Sequence, residues 1–119
     1  MYGLAVRWSL HHAPSDAAQQ LRTYVCDTSI DRFSGMPGLC FKTWRMVPGE
    51  WFEGVYVWQT AQARQEFLTT FRAGADTAPG SQLIGSPPVA YEEFEVVAVA
   101  EGGAGFHPGP GPGRDGADA

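Results

Sequence analysis

One turn constrains this chain more than any other feature. Pro48-Gly49-Glu50 separates two strand-like runs, Leu39 to Val47 and Gly54 to Trp58. The second run, Gly54-Val55-Tyr56-Val57-Trp58, is aromatic and β-branched and is the clearest strand in the sequence. A connection this short cannot carry a parallel crossover, so the two runs form an antiparallel hairpin. Alternation along the first run sets Leu39, Phe41, Thr43 and Arg45 on one face and Cys40, Lys42, Trp44 and Met46 on the other. Trp51 and Phe52 fall in the hairpin loop, where two large apolar residues serve either to cap a pocket or to pack on a partner subunit.

The remaining elements flank this hairpin in a symmetric order. Leu4 to Leu10 alternates and reads as a first strand, broken by His11-His12-Ala13-Pro14. A helix capped by Ser15 or Asp16 follows and runs to about Arg32. With Asp16 as the cap, Gln19 occupies the capping-box position, and Leu21, Val25 and Thr28 form the apolar stripe. Gly35-Met36-Pro37-Gly38 is a turn. After the hairpin, Thr60 caps a second helix whose core stripe is Ala63, Phe67 and Phe71, ending near Ala73-Gly74. Residues 75–88 read as a loop with a short turn around Gln82-Leu83-Ile84. Val89 to Ala100 is the last strand. From Gly102 the composition collapses into Gly/Pro repeats with no apolar face to bury. The expected organisation is therefore one domain over 1–101 and a disordered, flexible tail over 102–119.

The order strand, helix, strand, strand, helix, strand defines an α+β fold, a ferredoxin-like βαββαβ sandwich with both helices on one sheet face. With 119 residues and a hydrophobic fraction of 44%, the chain can build one such core and not two. The last strand is apolar in both parities, so the second sheet face needs a cover. A symmetric partner is the simplest one, giving a homodimer through the sheet face.

Composition removes several function classes. The chain carries 8 basic and 13 acidic residues, a net charge of −5, and its basic side chains are scattered singly. That is the wrong balance for nucleic acid. The two cysteines, Cys26 and Cys40, form no Cys/His cluster and read as buried free thiols in a cytoplasmic protein, with no metal site. The N-terminal residues lack a secretory pattern, and no apolar run approaches membrane-spanning length. No glycine-rich phosphate loop follows a strand.

Read together, Pro37-Gly38-Leu39-Cys40-Phe41-Lys42-Thr43-Trp44, then Gly54-Val55-Tyr56-Val57-Trp58, the Thr60-capped helix and Phe94-Glu95-Val96 resemble the YdhR-type monooxygenases. These belong to the dimeric α/β-barrel superfamily, which includes the antibiotic-biosynthesis monooxygenases. The resemblance covers about residues 3–100. It implies a homodimer with sheets packed face to face, and an apolar pocket between sheet and helices in each subunit. It also implies oxidation of a phenolic or anthrone-like polyketide by O₂ without metal, flavin or other cofactor. Other barrel members are cyclases, isomerases, lyases or haem-degrading enzymes, so fold alone does not choose the reaction. A haem-degrading role would fall on His11 or His12 as iron ligand, though neither sits in a recognisable motif.

The residues able to carry such chemistry cluster on the hairpin. Lys42 and Trp44 share a face of one strand, Tyr56 and Trp58 a face of its partner. Lys42 and Tyr56 offer donors to a substrate oxygen, and the indoles offer flat faces. Lys42 is the chain's only lysine. Burying its charge unpaired is costly, so it snorkels, pairs with Glu95 or serves chemistry. Tyr56, Lys42 and His11 are the candidate catalytic groups. Trp58, Trp44, Arg7, Phe67, Phe71 and Trp51 are the candidate substrate-binding groups, set against ordinary roles in core, interface or solvated loop. Three readings follow: a cofactor-independent oxygenase for an aromatic or polyketide-like substrate, a cyclase or isomerase that does not use O₂, and a non-catalytic dimer that binds an apolar ligand.

Overall fold

The hairpin closes as its length demands. In the computed structural model, which describes residues 1–111, β2 (Leu39–Val47) and β3 (Trp51–Trp58) pair antiparallel, with Val47 opposite Trp51. Gly49 takes the left-handed conformation (φ +80°) that the three-residue loop requires. Trp51 and Phe52 therefore belong to β3 and not to the loop. β1 (Tyr2–Ser9) pairs with the other side of β3, and β4 (Ala90–Glu95) with β1. The sheet order is β2-β3-β1-β4, antiparallel throughout. With helices on one face, this is the ferredoxin-like α+β sandwich that the element order predicts.

The first helical run departs from simple periodicity. α1 (Ala17–Tyr24) passes into a π-helical turn, Val25–Ser29, and then into α2 (Ile30–Phe33). The Ile30 amide donates back to the Val25 carbonyl, five residues away. The extra residue rotates the apolar stripe: Thr28 is exposed, Ser29 is buried, and Phe33 closes the run against the sheet. Asp16 is the N-cap, but its carboxylate makes no capping bond and instead accepts from Gln20 Nε2 at 2.6 Å. α3 (Ala61–Ala73) begins as expected, with the Thr60 hydroxyl accepting from the Ala63 amide at 3.0 Å.

The segment expected to be a loop holds a 3₁₀ turn, Ala75–Thr77, and α4 (Pro79–Ile84). Pro79 opens α4 at its first turn, and Gly85 ends it at φ +89°. The same residues that look like helix breakers are thus its start and stop. β4 is shorter than expected. It pairs from Ala90 opposite Arg7 to Glu95 opposite Tyr2, and Val96 still donates to the Met1 carbonyl. Residues 96–111 are neither helix nor strand. The expected tail extends to 119, and its last eight residues, 112–119, lie outside the described residues.

Along β2 the strict alternation breaks once. A register shift between Leu39 and Phe41 inserts Cys40 as a bulge, so Leu39 falls on the face of Lys42, Trp44 and Met46. Both Cys26 and Cys40 are exposed, which corrects their expected burial: one sits on the π turn and the other on the bulge of an edge strand. The core combines Leu4, Val6 and Trp8 of β1 and Phe52, Tyr56 and Trp58 of β3 with Leu21, Phe33, Leu68 and Ile84 of the helices. On the opposite face Glu53 is 1% exposed and accepts from Arg7 at 3.1 Å and Arg45 at 2.5 Å, a row across the three strands β1, β3 and β2.

Gly3 marks the tightest contact of this outer face. A Cβ built there would lie 1.9–2.3 Å from the Phe94 ring. Gly3→Ala is expected to destabilise the fold by about 1–3 kcal/mol through overpacking. Phe94→Ala should remove most of that cost in the double variant. Urea unfolding of the four-member cycle measures the coupling, and additive single effects would disprove the contact.

Candidate active site

Because β3 is paired on both sides, its side chains are fixed by two registers. Across β2–β3, Lys42 faces Tyr56 and Trp44 faces Gly54. Period two then places Lys42, Trp44, Tyr56 and Trp58 on the helix-covered face, as the alternation predicts. Phe33, the last residue of α2, meets this patch with ring centroids 6.0 Å from Trp44 and 5.6 Å from Tyr56.

The Lys42 ammonium lies among these rings. Its Nζ is 3.7 Å from the Phe33 centroid, 4.2 Å from Tyr56 and 4.5 Å from Trp44. Among the described residues the ion pairs are Arg7–Glu53, Arg45–Glu53 and Arg64–Glu93, so neither Glu95 nor any other carboxylate neutralises Lys42. Aromatic faces favour the cation by about 0.5–2 kcal/mol, depending on desolvation. Burial works against it, and so does the nearby Arg32 charge; together they hold the Lys42 pKa well below the ordinary lysine value. Tyr56 is 2% exposed, and burial pushes its phenol pKa up, against the opposing pull of Arg32. Its hydroxyl is therefore a protonated donor throughout the neutral range.

Gly54 creates the space these two groups share. A Cβ there would lie 3.1 Å from Lys42 Cε and 3.4 Å from Tyr56 Oη. Two openings reach Lys42. A narrow cavity of about 50 Å³ runs between Tyr24, Ser29 and Arg32 on one side and Ala78 to Gly80 on the other. A groove of about 980 Å³ lies between the first helical run and β2. Phe33, Lys42, Trp44 and Phe52 line both.

The structure separates the other candidates. Phe71 lines the narrow cavity. Phe67 packs on Tyr56 at 4.6 Å and Trp58 at 5.1 Å and supports the patch from behind. Trp58 lines neither opening, and its indole Nε1 is buried without a hydrogen-bond partner. Arg7 and Trp51 lie on the opposite sheet face, stacked on each other at 4.1 Å, away from Lys42. His11 and His12 are exposed beyond β1 and line neither opening. Phe33, Arg32 and Gly54 escaped the sequence reading of the site. For Phe33, the π turn hides its phase relative to Leu21.

No protein-family model matches the sequence, and no curated protein does. Solved structures match by fold. The NE2512 protein of unknown function from Nitrosomonas europaea aligns with a TM-score of 0.57 and 21% identity, over 83% of this chain and 91% of its own. A monooxygenase from the gene ActVA-Orf6 of Streptomyces coelicolor, in complex with the ligand nanaomycin D, aligns with a TM-score of 0.57 and 15% identity, over 83% and 89%. A mutant of MhuD with two manganese protoporphyrin IX bound per active site gives 0.57 and 19%, over 85% and 98%. These likenesses establish a shared fold. No helix of the described residues is long and apolar enough to cross a membrane.

A half-buried ammonium with no carboxylate partner among the described residues weakens the fold that holds it. The folded pKa of Lys42 lies below the ordinary lysine value of 10.5, so between the lowered value and 10.5 the unfolded chain binds the extra proton. The penalty is therefore full at low pH and fades as pH rises through that window. Lys42→Met is expected to raise unfolding free energy by about 1–3 kcal/mol near neutral pH, with the gain shrinking toward alkaline pH. Urea unfolding at neutral and alkaline pH checks both parts. A destabilised variant would show that the ring faces outweigh the desolvation.

Proposed function

We propose that this protein is a small cofactor-independent monooxygenase, acting as a cytoplasmic homodimer on an aromatic or polyketide-like phenol held between sheet and helices. The observation that carries the reading is the Lys42 amine, among three rings and at the junction of two openings: the groove of about 980 Å³ and the narrow cavity that Gly54 and Tyr56 also line. The monooxygenase among the structural neighbours lends it a reaction class.

In this reading the neutral Lys42 amine takes the phenol proton. The ammonium so formed, with the Tyr56 O–H donor, holds the phenolate oxygen. The ring faces of Phe33 and Trp44 flank the substrate plane and exclude water. The phenolate is electron-rich enough to pass an electron to O₂. Recombination at the activated ring carbon gives a hydroperoxide, and loss of water leaves a carbonyl. One oxygen atom enters the product and the other leaves as water. The substrate C–H and O–H supply the four electrons, so a phenol and O₂ give a quinone and water. His11 takes no part, because its imidazole is exposed and outside both openings.

The test is oxygen uptake with 1-naphthol and with an anthrone, coupled to ¹⁸O₂ labelling of the product. Lys42→Met and Tyr56→Phe are each expected to lower kcat by about a hundredfold. The wild-type rate should rise with pH through the lowered Lys42 pKa, and Lys42→Met should lose that limb. Turnover without O₂ uptake would favour the cyclase or isomerase reading. A Soret shift on haemin titration would favour a porphyrin site. Full activity in both variants would overturn the assignment of Lys42 and Tyr56.

A further inference from the structure

The segment after β4 meets the groove. Phe106, His107, Pro108, Gly109, Pro110 and Gly111 all line it, facing β2 and the first helical run. The contact centres on one ring pair: Phe106 lies 6.3 Å from Phe41 between centroids, at an interplanar angle of 40°. Phe106 is the large apolar residue of an otherwise Gly/Pro-rich stretch, and it is 60% exposed. A ring so exposed leaves much of its face open to another aromatic partner. The backbone around it belongs to no helix or strand, and Gly105 and Gly109 adopt φ of +78° and +105°. Positive φ at two glycines bends the strap on either side of Phe106 and His107 at little cost.

We propose that Phe106 to Gly111 forms the outer wall of the substrate groove and that Phe106, with Phe41, selects flat aromatic ligands by closing on their rings. The proposal rests on the groove being the substrate site. Its chemistry is that of offset aromatic contact: Phe41 and Lys42 alternate to opposite faces of β2 and both line the groove, so a planar fused-ring phenol would lie along the β2 edge, its far ring between the strap and Phe41 and its oxygen reaching round the edge toward Lys42. A single-ring or aliphatic ligand would gain little from the strap. Phe106 is then a specificity residue, and its loss should weaken binding without changing the chemical step.

The chain supplies its own reporters. Its two cysteines, Cys26 and Cys40, both line the groove. Cys40 directly precedes Phe41 and lines the same groove as the strap. In the full chain carrying Cys26→Ser, Phe106→Ala is expected to speed the reaction of Cys40 with DTNB several-fold. 1-Naphthol should slow that reaction in the presence of Phe106. Phe106→Ala should raise the Kd for 1-naphthol, read by calorimetry, by about tenfold, the upper worth of one aromatic pair. The Kd for phenol should change little. Phe106→Trp should keep the tight naphthol binding, which a merely structural role for the segment would not predict. Unchanged thiol rates and unchanged naphthol affinity in Phe106→Ala would overturn the strap, even if the enzyme turns over phenols. Absence of any turnover, with the thiol and affinity effects present, would overturn the oxygenase reading and leave the strap standing.

Discussion

Two charges meet β3 on its opposite faces, Glu53 on β3 itself and Lys42 from the neighbouring β2, and the surrounding structure is arranged by how each is accommodated. On the outer face Glu53 is neutralised twice, by Arg7 from β1 and Arg45 from β2, in direct cross-strand register. On the inner face the charge comes from β2: Lys42 stands opposite Tyr56 and has no carboxylate among the described residues to meet it. Rings from three elements surround it instead: Phe33 from α2, Trp44 from β2 and Tyr56 from β3. A satisfied triad fixes a sheet and asks for nothing more. An amine without a carboxylate partner against a groove costs stability instead of adding to it.

That inner arrangement depends on small residues as much as on large ones. Gly54 leaves the volume into which Lys42 Cε and Tyr56 Oη both reach. Gly80, under Trp8, lets the start of α4 approach β1, where the Trp8 indole donates to Ser81 Oγ at 3.0 Å. Trp8 in turn packs on Phe52 and Phe71, so the aromatic layer is continuous from β1 to β3 and α3. The ammonium is therefore set into a preorganised apolar layer and is not merely covered by it. Preorganisation of this kind is what makes a donor pair effective when charge develops on a ligand oxygen.

Much of this was legible in the sequence, and the remainder was hidden for definite reasons. The hairpin followed from loop length; that Lys42 and Trp44 share a face with Tyr56 and Trp58 also required the strand register. The Thr60 cap and the stripe containing Phe67 and Phe71 followed from local rules. Trp51 was misplaced because two apolar residues beside a turn look like loop contents when the strand is judged to begin at a glycine. Arg7 reads as a site residue because parity on β1 cannot be tied to parity on β2 until the register of β1 against β3 is known, and Trp51 reads as one because a loop tryptophan could cap a pocket. The length of β4 depended on where its partner ran out, which is a tertiary fact. α4 was invisible because Pro79 and Gly85 punctuate both loops and short helices.

The two places where periodicity failed inside regular elements have a common position. The π turn at Val25–Ser29 and the bulge at Cys40 stand on opposite walls of the groove, and Val25, Cys26 and Cys40 all line it. Each irregularity adds one residue to an element that would otherwise pack flush. The π turn carries Phe33 round onto the Lys42 cage. The bulge returns Leu39 to the core and leaves Cys40 outward on an edge strand. Regular versions of both elements would bring different side chains to the groove, so its lining is a product of the departures as much as of the fold. Local rules are most often broken where a protein has a use for the break. Here both breaks flank the wall on which the unpaired lysine sits.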